Sequence, residues 1–276
     1  MVRPMLAPTA AMGVGLLLAT SLHAQDAPSP PQPMAPPLGQ VQRVATREGV
    51  SVPIYAYWQD RAVATLVLFS GGGGGYGRIG DDGWPAGGNF LIRTGKQWAR
   101  HPFNVVMVGR PSDGIDLSLG SLRTGDQHAA DNLAIFRAIR RQSERPIWVV
   151  GTSMGTISAA AAAIRDREDL VAGVVLTSSI LAYKVPGAVP TQKLEAIRVP
   201  TLVVHHAHDA CWACPPADAK RLADALRNAP IKKVMLLDGG AGASGDPCEP
   251  LHHHGYVGMQ QEVVDAIAEW ILRPAP

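Results

Sequence analysis

Residues 147–163 read IWVVGTSMGTISAAAAA, and that stretch decides how the rest of the chain is understood. The apolar run 147–150 leads into Gly151-Thr152-Ser153-Met154-Gly155, and an alanine-rich segment follows directly. A short apolar run bounded by turn residues suits a buried strand, and alanine is the strongest helix former, so the segment predicts strand, tight turn, helix. A G-x-S-x-G at such a junction has a chemical purpose. The sharp turn forces the serine into a strained backbone conformation and lifts its hydroxyl above the sheet. Flanking glycines let neighbouring elements approach closely, and the helix N-terminus adds partial positive charge near a developing oxyanion. In a chain with 29 glycines the pattern alone is weak. Its place between strand and helix makes Ser153 a candidate nucleophile rather than a serine in an ordinary glycine-rich turn.

Working outward, similar apolar runs occur at 64–69, 104–108, 171–176, 201–205 and 233–237. Continuous rather than alternating apolar runs suit parallel strands buried on both faces. Residues 41–46 and 52–58 read as an antiparallel lead-in around an Arg47-Glu48-Gly49 turn. Helix-like segments fall at 88–99, 127–141, 154–165, 217–227 and 259–272. This alternation predicts a mostly parallel sheet of about eight strands with helices on both faces.

A serine hydroxyl needs a base to take its proton, and the base needs an acid to hold its tautomer. After a nucleophile of this kind the expected order is acid, then base. Asp209, in the loop beyond the run 201–205, is the candidate acid; an ordinary turn or helix-capping aspartate is the plainer reading, and Asp238 is its rival. His252-His253-His254-Gly255 precedes the last helix, where Gly255 permits a sharp turn. His254 is favoured over His253 as the base.

With these residues in place the chain resembles the α/β-hydrolase superfamily, specifically its secreted or periplasmic esterase-like members, over residues 41–272. The resemblance implies Ser153, Asp209 and His254 as catalytic residues. It also implies an oxyanion hole from the Met154 backbone N–H and from the glycine loop 71–75, with Gly71 and Gly72 as the donors. Bare backbone donors there meet a substrate oxygen with no Cβ in the way. A phosphate-binding loop would end in Gly-Lys-Ser/Thr, whereas this one continues Tyr76-Gly77-Arg78. The reaction implied is carboxylic-ester hydrolysis through an acyl-enzyme, with a small-molecule ester or amide as substrate and no cofactor. An amidase or peptidase would use the same residues, and a non-catalytic binding module on a hydrolase scaffold is the alternative from another class.

All three cysteines sit in the loops carrying the candidate acid and base. A Cys211–Cys248 bridge would tie those loops together, with Cys214 able to replace Cys211. Histidines beside the cysteines raise structural zinc as a rival, but adjacent histidines on an extended strand point to opposite faces, so no metal is expected. Residues 178–200 are too few for a cap domain, which needs roughly 50. The loops 76–89 and 110–124 are left to cover the site, with Tyr76, Trp84, Tyr183 and Trp212 as candidate pocket aromatics. Ser112 and Asp113 are candidates for substrate contact or for a turn.

At the N-terminus, Arg3, the apolar run 12–19 and Ala24 form a signal-peptide pattern over 1–24, so the protein is expected to be exported, periplasmic or secreted. That run is well short of the roughly 20 residues of a membrane span. Residues 25–40 are a proline-rich linker or tail, and 41–276 form the hydrolase domain. A net charge of +2 and 5% aromatic residues offer no footprint for nucleic acid or an anionic membrane.

Overall fold

The computed structural model describes residues 1–2 and 39–276. The chain divides into Met1–Pro36 and Pro37–Pro276, and the second unit holds the sheet. The expected signal peptide and nearly all of the proline-rich segment lie outside the described residues.

Strands β1 (Gln40–Arg47), β2 (Val50–Tyr57) and β3 (Ala64–Phe69) come first. A small hairpin, β4 (Arg78–Ile79) with β5 (Pro85–Ala86), follows. Then come α1 (Phe90–Arg93), α2 (Gly95–Arg100), β6 (Phe103–Val108), α3 (Gly120–Arg123), α4 (Asp126–Gln142), β7 (Ile147–Thr152) and α5 (Met154–Ile164). The chain ends with β8 (Val171–Thr177), β9 (Thr201–His206), α6 (Ala219–Ala225), β10 (Lys232–Leu237) and α7 (Gln260–Leu272). Eight strands form one sheet in the order β1-β2-β6-β3-β7-β8-β9-β10. The β1–β2 and β2–β6 pairings are antiparallel and every later pairing is parallel.

Alternation along the central strands explains the layers, because successive side chains face opposite sides. Val67, Val106, Val149, Val174 and Val203 pack with α4, α5 and α6 through residues such as Ile135, Phe136 and Leu222. Their neighbours Leu66, Leu68, Met107, Val150 and Val204 pack on the other side with Trp98 of α2 and Val263 and Ile267 of α7. Both faces are dry, which is why these strands read as unbroken apolar runs.

Two expectations need correction. The helix expected over 88–99 is two short helices, because the Thr94 hydroxyl donates to the Phe90 carbonyl at 2.6 Å and closes the first one locally. The helix expected over 217–227 is shortened to α6, preceded by a 3₁₀ turn at Pro216–Asp218. Residues 178–200 carry only the 3₁₀ turns Val189–Thr191 and Leu194–Ala196, so among the described residues they form no cap domain. Among the described residues no helix is long and apolar enough to cross a membrane.

The sheet order also places the site. From β3 the chain crosses to β6 on one side and returns to β7 on the other, so the loops after β3 and β7 diverge. Crevices at such reversals, beyond the carboxyl ends of parallel strands, are where open α/β sheets bind ligands.

Candidate active site

Ser153 stands between β7 and α5 with φ 52° and ψ −127°, a left-handed conformation costing about 1–3 kcal/mol. Its N–H donates to the Thr177 carbonyl at 3.1 Å, which ties the turn to β8. The turn can be this tight because Gly155 lies against the end of β3. A Cβ there would stand 1.9 Å from the Phe69 carbonyl oxygen. Met154 is the first residue of α5, so its N–H has no acceptor one turn earlier in the helix. Gly71 passes close by: a Cβ on it would be 3.0 Å from Ser153 Cβ and 3.1 Å from the Thr152 carbonyl oxygen.

Asp209 follows β9 and His254 precedes α7, and the two side chains meet. His254 Nδ1 donates to Asp209 Oδ2 at 2.9 Å, with the Asp209 side chain wholly enclosed. The other carboxylate oxygen, Oδ1, accepts the Cys211 N–H at 2.9 Å. His254 Nε2 is buried and has no hydrogen-bond partner among the described residues. His254 lines the same cavity, about 310 Å³, as Ser153, Met154, Gly71 and Gly72.

The rival residues go elsewhere. Asp238 is largely exposed and pairs with His208 at 3.3 Å. His253 stacks on His206 with ring centroids 4.3 Å apart, and its Nδ1 faces the His208 carbonyl. Both rivals therefore sit outside the pair formed by Asp209 and His254.

Cys211 and Cys248 are joined by a disulfide spanning 37 positions, and Cys214 is left as a buried thiol. Closing a loop of that length stabilises the fold by up to about 4 kcal/mol in the chain-entropy account. Burial pushes the Cys214 thiol well above its ordinary range, so it stays protonated. Cys211, Cys214 and His254 present ligand atoms within 4.8 Å of one another. Cys211 is spent in the disulfide, so a zinc ion held by this set would have to break that bond. Of the neighbouring histidines, His205 Nε2 accepts the Ser179 N–H, and His206 Nε2 donates to the Gly239 carbonyl.

A second cavity of about 420 Å³ opens from Ser153 on the other side. Leu119, Ile180, Val185, Pro186 and Trp212 give it an apolar lining, with the disulfide on one wall. Of the four aromatics considered for a pocket, only Trp212 lines it. Tyr76 packs on Tyr55, Trp84 packs on Tyr55 and Tyr57, and Tyr183 lies exposed beneath Arg221. Ser112 and Asp113 are also structural: the hydroxyl accepts the Ser51 N–H, and the carboxylate pairs with Arg47 at 2.8 Å. A larger groove of about 600 Å³ runs along the far end of α5 near Arg165, Arg167 and Lys193 and holds none of the candidate catalytic side chains.

Several positioning residues escaped the sequence reading. Arg123 is 2% exposed and has no carboxylate partner among the described residues. Its guanidinium donates to the carbonyls of Leu117 and Gly72 and to the Ser158 hydroxyl, at 2.6 to 2.9 Å, and so anchors the glycine loop. Burial lowers its pKa to about 10, which leaves it charged at neutral pH. The Ser178 hydroxyl donates to the His254 carbonyl at 2.8 Å, and the buried Tyr256 hydroxyl donates to the Val204 carbonyl at 2.9 Å. Little local marks these residues, because all their partners but Leu117 are distant in sequence.

No protein-family model and no curated protein matches this sequence. Solved structures do match in fold. A dienelactone hydrolase from Anabaena variabilis aligns with a TM-score of 0.60 at 15% identity, covering 88% of this chain and 100% of its own. An esterase from Pyrococcus furiosus aligns with a TM-score of 0.57 at 13% identity, covering 85% of this chain and 90% of its own. An acylaminoacyl peptidase from Pyrococcus horikoshii gives 0.55 at 16% identity, covering 86% of this chain and 41% of its own. The architecture is that of the α/β hydrolases.

Proposed function

We propose that the protein is a serine hydrolase that cleaves a small carboxylic ester through an acyl-enzyme. The observation that carries this reading is the buried Asp209–His254 hydrogen bond at the sheet edge, in the same cavity wall as a serine held at positive φ. Ser153 Oγ attacks the carbonyl carbon while His254 Nε2 takes its proton. Asp209 holds the proton on Nδ1 and stabilises the imidazolium. The oxyanion forms near the N–H groups of Met154 and of Gly71 or Gly72. Collapse expels the alcohol, which receives the proton from Nε2, and water activated by the same nitrogen releases the acid.

The apolar cavity beside Trp212 suits an apolar acyl or alcohol group, and the smaller one beside Glu249 and Pro250 takes the other half of the substrate. The chemistry asks for no metal or organic cofactor. Export to an oxidising compartment is part of the same reading. The disulfide supports it, as does the N-terminal pattern of Arg3, residues 12–19 and Ala24.

The test is labelling of the purified protein by a fluorophosphonate probe, followed by turnover of short p-nitrophenyl esters, with Ser153→Ala alongside. Labelling and turnover that both disappear in the variant support the reading. Wild-type protein that stays unlabelled while a control hydrolase reacts removes its basis.

A further inference from the structure

Asn89 is the residue before α1, and its side chain does two separate things. Oδ1 accepts the Leu91 N–H at 3.1 Å, capping that short helix. An amide whose oxygen is committed in this way has its NH₂ group fixed on the opposite side. That side is the cavity holding Ser153, Met154, Gly71, Gly72 and His254, which Asn89 also lines. Nδ2 is 3.2 Å from the point where a Cβ on Gly71 would stand, and Ser153 Cβ is 3.0 Å from that same point. The amide donor and the nucleophile therefore both lie close to Gly71, where a Cβ would crowd them. Among the described residues no acceptor pairs with this NH₂ group, whereas the oxygen of the same amide is satisfied.

Resting on the serine-hydrolase reading above, we propose that Asn89 is a catalytic residue, its side-chain NH₂ group donating a hydrogen bond to the tetrahedral oxyanion formed on Ser153. The backbone donors at Met154 and the glycine loop approach from the main chain, and Asn89 adds a donor from a different element. The capping bond is what makes it effective: with Oδ1 anchored, the amide is already oriented before substrate arrives. Donors that need no reorganisation at the moment of reaction contribute most to the rate.

Two variants separate the donor from the cap. Asn89→Ser keeps a capping oxygen, since serine and asparagine are about equally good at that position, but has no group long enough to replace the amide. Asn89→Asp keeps the shape and the cap and removes the NH₂ group. Each is assayed for kcat and KM on p-nitrophenyl acetate, for the rate of fluorophosphonate labelling and for the thermal midpoint, beside wild type and Ser153→Ala. The expected result is a fall in kcat of about 10²- to 10³-fold in both, with KM little changed, slower labelling and an unaltered midpoint. If folded Asn89→Ser and Asn89→Asp both keep kcat within about threefold of wild type, or lose only KM, the amide is not an oxyanion donor and the proposal falls. Wild type that fails to label at Ser153 overturns the underlying hydrolase reading, and this assignment with it. A labelled wild type with fast Asn89 variants overturns this assignment alone.

Discussion

Replacing Asp209 by asparagine probes the site where its geometry is most specific. The carboxylate uses Oδ1 for the Cys211 N–H and Oδ2 for His254 Nδ1, both at 2.9 Å. An asparagine amide has the same shape but only one oxygen. Keeping the Cys211 bond turns the NH₂ group toward His254, where two donors cannot face each other. The imidazole then carries its proton on Nε2, the nitrogen that has to accept the proton of Ser153. The opposite orientation leaves the buried Cys211 N–H against an NH₂ group, at a cost of about 1–3 kcal/mol, so the unproductive arrangement prevails. The wrong tautomer and the lost charge beside the imidazolium together lower kcat by about 10⁴-fold, equivalent to about 5.5 kcal/mol of barrier. Volume and packing are unchanged, so the thermal midpoint moves by only a few degrees. Steady-state turnover of p-nitrophenyl acetate reads the first quantity and a circular-dichroism melt the second. A folded Asp209→Asn enzyme that keeps more than a tenth of wild-type kcat, with Ser153 still essential, would refute the claim that Asp209 orients His254.

Two further predictions rest on packing and on protonation. Gly155→Ala puts a methyl group 1.9 Å from the Phe69 carbonyl oxygen and 2.8 Å from that of Ser70. The end of β3 and the start of α5 must then part by about 1 Å. Overpacking of this kind costs about 1–3 kcal/mol, and such a displacement of the glycine loop from Ser153 lowers kcat about 10²-fold; an unchanged melt and full activity would show that the junction is looser than described. Burial holds the imidazoles of His205 and His128 down at about 4 and about 3, against an ordinary 6.5. Between 6.5 and those values the unfolded chain binds more protons, so the stability they contribute is complete above 6.5 and is lost as the pH falls. Each removes about 1.4 kcal/mol per pH unit over its window. Urea unfolding of wild type and His205→Gln from pH 7 to 5 measures this, and equal slopes in the two proteins would count against a neutral buried His205.

What could be read from the sequence was local. The strands were legible because both faces of the sheet are dry, so unbroken apolar runs such as 64–69 and 147–150 mark them directly. Ser153 was legible because strand, turn and helix are contiguous, and the glycines at 151 and 155 record how closely the chain doubles back on itself. The candidate acid and base were legible only as loops. His253 and His254 are neighbours in sequence, yet one stacks on His206 and the other meets Asp209 across a separation of 45 residues. Asp238 lies beyond β10, the strand next to β9, and pairs with His208 instead. Cys211 and Cys214 are one turn apart, and only the folded loop turns one toward Cys248 and the other into the interior. Locally Asn89 reads only as a helix cap and Arg123 as a surface cation, because Gly71 and the carbonyls of the loop after β3 come near them only in the fold. Periodicity and turn chemistry act between neighbours and are written in order along the chain. The partners of each side chain are set only when the crossovers bring the strand ends to one edge of the sheet.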